Sequence, residues 1–258
     1  MPFWRFSTSF RPWPKIQQKK MANLTQLKML EDLSGLLLID KPAGLSFSTV
    51  VKTVKRKFNL VKVGHGGSLD ASASGLLILL LNDANRFTGD VMGADRLYSG
   101  SMRLGLKTNT HDIHGEAVSR AEAPGDFAKR AADVIGEFKG DVFQTESRWC
   151  SVRREGSAGY ELADTGEHKP FLAHVYKFDV SEMVEGSAAF TLSATKGLIV
   201  RTLINDFGEA VGCGAALENL RRLKVGRWRV EDAVAFDKLL EAEMGDLSSF
   251  VTPFVKEF

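Results

Sequence analysis

The chain has 258 residues, of which 44% are apolar and 26% charged, and its formal net charge is +2. It is long enough to bury a substantial core, and the small net charge gives no indication of a nucleic-acid partner. No apolar run approaches the roughly 20 residues that cross a bilayer as a helix. The two distant cysteines, Cys150 and Cys213, lack the spacing of a zinc site or a disulfide scaffold, so we expect an intracellular, cytoplasmic protein.

The first 30 residues contain no aspartate or glutamate and are basic. The basic side chains of the first 20 residues are Arg5, Arg11, Lys15, Lys19 and Lys20. A transit-like peptide, a disordered arm and residues upstream of a start at Met21 are the alternatives, and the last two are favoured. We therefore expect a disordered extension over 1–30 and one domain over 31–258.

Two elements are predicted next along the chain. GLLLIDKPAG at 35–44 indicates a strand that ends in a turn. SFSTVVKTVKRKF at 46–58 indicates an amphipathic helix that Ser46 or Ser48 can cap. Its apolar stripe comprises Val50 or Val51, Val54 and Phe58. Its other faces carry Lys52, Lys55, Arg56 and Lys57, as a solvated surface also would.

The stretch GHGGSLDASASG at 64–75 places a single carboxylate, Asp70, among glycine, serine and alanine. Its glycines let the backbone approach a ligand closely, although ordering such a segment costs conformational entropy. The apolar run GLLILLLN follows and predicts a buried strand, so Asp70 is expected on a fixed loop against the core. A carboxylate in that position needs a partner or a chemical purpose.

Further strands and helices follow in irregular alternation. The pattern at 97–108 predicts a half-buried strand with Tyr98 on its apolar face. A helix is expected within 123–141, and strands are expected at 174–180 and 188–194. Several neighbouring strands have one polar face, which is typical of antiparallel sheets.

The segment at 196–214, KGLIVRTLINDFGEAVGCG, predicts a turn at Gly197 followed by a helix. The apolar stripe of this helix comprises Val200, Leu203, Phe207 and Val211, and Gly212 and Gly214 end it. ENLRRLKVGRWRVEDAV at 218–234 is predicted as a short helix and a strand. Together the elements predict an α+β fold with a mixed, mostly antiparallel β-sheet flanked by helices.

Several familiar sites can be excluded. GHGG is followed by neither the Gly-Lys-Ser/Thr of a P-loop nor a complete dinucleotide fingerprint, and no Gly-x-Ser-x-Gly elbow occurs. HDIH at 111–114 offers metal-ligating side chains, but no second histidine or cysteine cluster supports it. A turn whose backbone is capped by a side chain is the favoured interpretation, and we expect no metal.

Three local clusters of basic residues suggest an RNA partner. The first comprises Lys52, Lys55, Arg56, Lys57 and Lys62; the second Arg221, Arg222, Lys224, Arg227 and Arg229 around Trp228; the third Arg148, Arg153 and Arg154 around Trp149. Each alone is more often a solvated surface. Because the three clusters bracket the Asp70 loop, however, they favour contacts with RNA phosphates and unstacked bases.

Four segments jointly resemble the TruB family of tRNA pseudouridine synthases: LLLIDKPAGLS, KVGHGGSLDASASGLLIL, RLYSGSMRLGLKTNTHDIHGE and KGLIVRTLINDFGEAVGCGAALENLRRLKVG. Their order and spacing fit over residues 33–234. The resemblance implies a pseudouridine synthase-like fold and an isomerase that converts uridine 55 in the tRNA T loop to pseudouridine. It also implies tRNA as partner, no metal or organic cofactor, and a monomer without a membrane association.

The resemblance also implies roles for individual residues. Asp70 matches the catalytic aspartate, which either attacks the ribose or assists a deprotonation. Arg201 matches the arginine that pairs with it, and Tyr98 the tyrosine that packs against the target base and can accept a proton. His65 matches the histidine that helps to turn the base out of its stack. The remaining residues assigned to the pocket and its substrate contacts are Lys41, Lys196, Trp149, Arg153, Leu220, Arg221 and Arg222. Of these, Lys41 and Lys196 look structural around the pocket.

The chain departs from the family pattern at several positions. LDASASG lacks the usual proline after the catalytic residue, and ESRWCSVR at 146–153 lacks two more prolines. Ile199 stands where the family has a second tyrosine. Only 30 residues follow Trp228, too few for the C-terminal RNA-binding domain of many members. These changes keep an alternative open, an RNA-binding or tRNA-folding protein on the same fold with weak or no catalysis.

Overall fold

The computed structural model describes residues 33–144, 149–151, 160–162 and 170–254, and the account below concerns these residues. The extension expected over 1–30 lies outside them, and the single domain over 31–258 stays a prediction. None of the helices in the described ranges has the length and apolarity to cross a membrane.

The strands fall close to the apolar and alternating stretches of the sequence. In chain order they are β1 (Gly35–Lys41), β2 (Val63–His65), β3 (Ser74–Leu81), β4 (Arg96–Leu104), β5 (Leu106–Thr108), β6 (Ala117–Arg120), β7 (Gly140–Gln144), β8 (Trp149–Ser151), β9 (Tyr160–Leu162), β10 (Phe171–Val184), β11 (Ser187–Ala194), β12 (Ala215–Val225), β13 (Trp228–Arg229), β14 (Val234–Ala235) and β15 (Val251–Thr252).

The helices lie between these strands and cover the sheet. They are α1 (Phe47–Lys57), α2 (Thr88–Gly93), α3 (Phe127–Val134), α4 (Val200–Val211), α5 (Phe236–Glu241) and α6 (Leu247–Phe250). Ser46 caps α1 by accepting a hydrogen bond of 3.1 Å from the backbone N–H of Thr49, which confirms one of the two predicted caps. The predicted stripe of α4 is buried, and Gly212 ends this helix in the left-handed conformation with φ 92°.

One large mixed sheet organises the described residues. Its strands run in the order β14-β1-β3-β12-β4-β11-β10-β7, with β13 paired to β12, β15 to β1 and β2 to β3. The β1–β14 and β3–β12 pairs are parallel and the other pairs of this sheet are antiparallel. The predicted α+β class and mostly antiparallel sheet are thus confirmed.

The core is divided between the two halves of this sheet. On the β4–β10–β11–β12 half, α4 buries its apolar stripe against the sheet. Phe207 of this stripe makes edge-on ring contacts with Phe138 and Phe178. On the β1–β3 half, one face is covered by α1 and α5, and the opposite face carries a separate cluster that includes Val91 and Trp228. The two halves meet where β3 pairs with β12.

The β3–β12 junction is short and tightly packed. Only two residue pairs define it, Ser74 with Arg221 and Gly75 with Arg222. Gly75 has φ 102°, and a Cβ atom there would lie 2.7 Å from the backbone nitrogen of Arg222. The loop that carries Asp70 enters β3 at this junction, so the junction determines where Asp70 lies.

Two sequence predictions are wrong in detail. Residues 218–225 are not a short helix: they belong to β12, which pairs along its length with β4 in the middle of the sheet, and this pairing overrides the local helical pattern. The strand predicted over 97–108 is interrupted at Gly105, whose φ of 73° turns the chain between β4 and β5.

We expect Gly75→Ala to destabilise the protein by about 2–4 kcal/mol, because alanine combines an unfavourable positive φ with a clash against the β12 backbone. The free energy of unfolding in urea measures this. Gly89→Ala in α2 is the matched control, since nothing lies within 4 Å of its Cβ position and φ is not positive. Equal unfolding midpoints for the two variants would contradict the tight junction.

Candidate active site

A cleft of about 590 Å³ opens at the β3–β12 junction. It is lined by the Asp70 loop, the first residues of β4 and β10, the middle of β12, and the turn that leads into α4. Six of the residues assigned from the sequence line it together: Asp70, Tyr98, Lys196, Arg201, Leu220 and Arg222. They come from four separate segments of the chain, and only the tertiary fold brings them together.

The loop that carries Asp70 is held by Lys41, which lies in the protein interior. The Lys41 side chain is fully buried, and its ammonium group donates to the backbone carbonyls of Pro42, Leu45 and Ala71 at 2.8, 2.7 and 3.4 Å. Burial lowers the pKa of Lys41 to about 8, while the negative charge of Asp70 opposes this shift. Lys41 therefore supports the loop and does not line the cleft as a substrate contact.

Arg222 fixes the same loop from the other side. Its Nε donates to the carbonyl of Leu76 and its Nη1 to the carbonyl of Ser68, both at 2.8 Å, and the residue is only 2% exposed. Its guanidinium also interacts electrostatically with Tyr98, its register partner on β4. Arg222 is therefore a buried support and not a free cation at the surface, and its predicted contact with the substrate stays a prediction. Because Arg221 and Arg222 are neighbours in a strand, their side chains point to opposite faces of the sheet. The predicted helix would not have separated them in this way.

Arg221 lies outside the cleft and is neutralised by a partner. Its two terminal nitrogens meet the two carboxylate oxygens of Asp40 at 2.9 and 2.7 Å. This bidentate pair joins the end of β1 to β12 across β3. Like Arg222, Arg221 thus holds the sheet together, and its charge is already compensated.

Arg201 occupies the place predicted for it, the first turn of α4. Gly197 turns the chain with φ 89°, and Gln144 then fixes the turn through both ends of its side-chain amide. The amide nitrogen of Gln144 donates to the carbonyl of Ile199 at 3.2 Å, and its oxygen accepts from the N–H of Ile199 at 2.9 Å. Arg201 is 6% exposed and its charge acts on Asp70.

Asp70 is held between opposing electrostatic effects. Burial raises the pKa of its carboxyl above the ordinary 3.8, whereas the positive charge of Arg201 is the strongest effect that lowers it. Asp112 raises this pKa further, and Lys41 and Arg222 lower it. The sequence argument anticipated the lowering partner but not the larger effect of burial.

Asp112 is part of this electrostatic environment, which the sequence argument did not anticipate. It is 2% exposed, and one of its carboxylate oxygens accepts from the Thr110 hydroxyl at 2.7 Å and from the His114 N–H at 3.0 Å. The prediction of a side-chain-capped turn at 111–114 is thereby confirmed. Among the described residues, no group of three or more histidine, cysteine or acidic side chains could hold a metal ion.

The other assigned residues lie around the cleft or beyond the described ranges. His65 ends β2, where its Nδ1 accepts from the N–H of Gly67 at 3.3 Å and its ring lies 5.0 Å from that of Phe47. Trp149 is described only as backbone in β8, and Arg153 lies outside the described residues.

Comparison with known proteins agrees with this architecture. The family model "TruB family pseudouridylate synthase (N terminal domain)" matches residues 55–200. The model "tRNA pseudouridylate synthase B C-terminal domain" matches residues 201–254. The tRNA pseudouridine synthase B of Burkholderia pseudomallei (strain 668) is 36% identical over 224 residues, covering 86% of this chain and 74% of the relative. The enzyme of the same name from Aquifex aeolicus (strain VF5) is 36% identical over 216 residues, or 82% and 75% of the two chains.

Solved structures share the fold. A chain of a Cbf5-Nop10-Gar1 complex superposes with a TM-score of 0.65 at 24% identity, covering 88% of this chain and 62% of that chain. A chain of an H/ACA RNP bound to a substrate RNA containing 2'-deoxyuridine gives a TM-score of 0.61 at 25% identity, covering 83% and 55%. This chain thus spans less than two thirds of either protein.

The sheet, the cleft at its centre and these matches together define a pseudouridine synthase, an isomerase that acts on RNA. Within that class, the chain belongs to the TruB family.

We expect Arg222→Lys to lower the free energy of unfolding by roughly 2–4 kcal/mol, because lysine lacks the fork that donates to the carbonyls of Leu76 and Ser68 at once. Arg221→Lys is the matched control, since it keeps the charge at the neighbouring, half-exposed position and should cost about 1 kcal/mol or less. Urea unfolding measures both. If Arg222→Lys were as mild as Arg221→Lys, the supporting role of Arg222 would be refuted.

Proposed function

We propose that this protein converts uridine 55 in the T loop of tRNA to pseudouridine, with Asp70 as the catalytic carboxylate. The observation that carries the proposal is the cleft in which Asp70, Tyr98 and Arg201 meet. The TruB family is one of tRNA pseudouridine synthases, so RNA is the substrate and isomerisation the reaction. The specific nucleotide is part of the proposal.

The proposed reaction breaks the C1′–N1 glycosidic bond, turns the detached uracil within the cleft and forms a C1′–C5 bond. The proton on C5 leaves and N1 gains a proton, so the atoms of the nucleotide are rearranged without net oxidation or reduction. No redox cofactor is therefore required, and we propose that the protein acts without a metal or an organic cofactor. Asp70 must be ionised both to attack the ribose and to assist a deprotonation.

The neighbours of Asp70 support an anion in that position. Arg201 cannot lose its proton under ordinary conditions, so its charge favours ionised Asp70 even though burial opposes it. Tyr98 is only 7% exposed on the wall of the cleft and lies opposite Arg222 in the sheet register. Its ring is a suitable surface for a uracil that has left its stack. We further propose that the protein acts on tRNA as a monomer in the cytoplasm.

The basic surface of α1 suits an RNA backbone. Lys52, Lys55 and Arg56 are exposed on this helix, and Lys62 is exposed in the segment that follows. Helix α1 also presents Phe47 to His65, next to the Asp70 loop. Phosphate contacts on α1 would therefore extend from the cleft and would weaken as salt displaces them.

We expect Asp70→Asn to reduce isomerisation at least about a thousandfold while tRNA affinity is retained, because asparagine keeps the size of aspartate but not its charge. Release of tritium from tRNA labelled at C5 of uridine measures the rate, and filter binding measures the affinity. Asp133→Asn is the matched control, since Asp133 is exposed on α3 and lies outside the cleft. Turnover by Asp70→Asn at the wild-type rate would eliminate Asp70 as the catalyst.

The same variant has a distinctive effect on stability. Because burial raises the pKa of Asp70, the folded protein binds this proton more tightly than the unfolded chain, and ionised Asp70 weakens the fold as pH rises. Asp70→Asn should therefore melt higher than the wild type at neutral pH, by about 2–4 °C for each kcal/mol relieved. The difference should shrink in acid, where Asp70 is protonated.

We expect Arg201→Ala to lower the single-turnover rate by roughly 10²–10³-fold and to move the acid limb of the pH–rate profile to higher pH. The shift follows because Arg201 lowers the pKa of Asp70, so its removal leaves the carboxyl protonated over a wider range. Arg201→Lys should keep most of the limb position but lose turnover, since lysine retains the charge and not the fork.

The double variant tests whether the two residues act as a unit. Asp70→Ala with Arg201→Ala should be little slower than either change alone, because residues that act together are not additive. Arg130→Ala, an exposed arginine on α3, is the control for loss of positive charge. Losses that multiply, with an unmoved acid limb, would show that Arg201 does not act through Asp70.

A further inference from the structure

The outer face of the β7–β10 pair carries an unusual amount of exposed aromatic and apolar surface. Phe143 is 75% exposed, Leu172 53% and Tyr176 54%, and His174 lies between the last two along β10. We call these four residues the outer ledge. Exposed aromatic side chains at neighbouring positions indicate a binding surface more often than single exposed residues do.

The ledge is continuous with the catalytic cleft. Phe143 and Leu172 are directly opposed in the antiparallel register, so their side chains lie side by side on one face. Leu172 itself lines the cleft together with Asp70 and Tyr98.

The ledge is also held at a fixed position relative to the catalytic groups. Gln144, the neighbour of Phe143 on β7, is 2% exposed and makes both hydrogen bonds to Ile199 at the start of α4. The strand that carries Phe143 is therefore tied to the turn that carries Arg201. A flat ring held in this way loses little conformational freedom when a planar ligand stacks on it.

The charges around the ledge match a nucleic acid. Lys196 is exposed on the cleft wall, one residue beyond Thr195, whose hydroxyl accepts from the backbone N–H of His174 at 2.8 Å. On the same face, Asp141 is hydrogen-bonded to the Nδ1 of His174 at 2.6 Å. Aromatic rings beside an exposed cation are the chemistry that binds an unstacked base and its phosphate. Four side chains are too few for the roughly 800 Å² per partner of a stable protein interface.

We propose that Phe143 and Leu172 form a stacking platform for an unpaired RNA base that flanks the target uridine, with Lys196 at the adjoining phosphate. This inference rests on the proposed function for the presence of RNA in the cleft. It adds a contact outside the pocket of the target base and makes Phe143 a determinant of substrate choice.

The test uses the full chain and a T-arm stem-loop RNA in two forms, unmodified and with one abasic site at each loop position flanking the target. We expect Phe143→Leu to weaken binding of the unmodified RNA about tenfold, because it keeps an apolar side chain but loses the ring face, and Phe143→Trp to restore affinity. The penalty of Phe143→Leu should disappear for the one RNA that lacks the stacked base. Val118→Ala, at an exposed apolar position on β6, is the control and should leave affinity unchanged.

Each other outcome overturns the platform. An unchanged affinity, or the same penalty on every abasic RNA, would show that no base stacks on Phe143. A lowered melting temperature of Phe143→Leu without RNA would show that another part of the protein covers the ring. Binding is also measured in the Asp70→Asn background, which does not depend on catalysis. If the wild type releases no tritium, the proposed function is refuted, whereas the binding data still decide whether a base stacks on Phe143.

Discussion

The buried guanidinium of Arg222 is the interaction on which the rest of this structure depends. It lies where the two halves of the sheet meet through only two residue pairs, and it donates to carbonyls of β3 and of the Asp70 loop. A buried arginine is costly unless its donors are used, and here they are used on the backbone that must be held still. Gly75 complements it, because only a glycine lets β3 approach the β12 backbone so closely.

In the cleft at this junction, two opposing effects act on the pKa of Asp70. Burial favours protonated Asp70, and Arg201, Lys41 and Arg222 favour the anion. The ionised form of Asp70, on which the chemistry depends, therefore lowers the free energy of unfolding at neutral pH. Such a cost is common where a site needs a charged group in a partly dry environment. The cations that offset this cost come from β1, β12 and α4, so the catalytic group depends on contacts between distant parts of the chain.

The basic clusters of the sequence have different roles in the structure. Arg221 and Arg222 read as a surface patch, yet one is paired with Asp40 and the other is buried. Lys52, Lys55 and Arg56 of α1 remain exposed, as their helical spacing indicated. The basic residues of β12 therefore support the sheet, whereas those of α1 are available to bind RNA. The outer ledge beside the cleft, in contrast, consists of residues that lie in none of the three basic clusters.

By itself the sequence determined the order of elements around the site: the strand ending at Lys41, the capped helix α1, the glycine-rich loop at Asp70 and the α4 helix beginning beside Arg201. These follow from apolar periodicity, caps and glycines, all of which act over a few residues. The resemblance of its motifs indicated the family. Only the tertiary structure decided that 218–225 form a central strand, that Arg222 is a buried support, and that Asp112 and Gln144 bear on the site. Such roles depend on burial and on pairing between residues far apart in the chain, which no local pattern encodes.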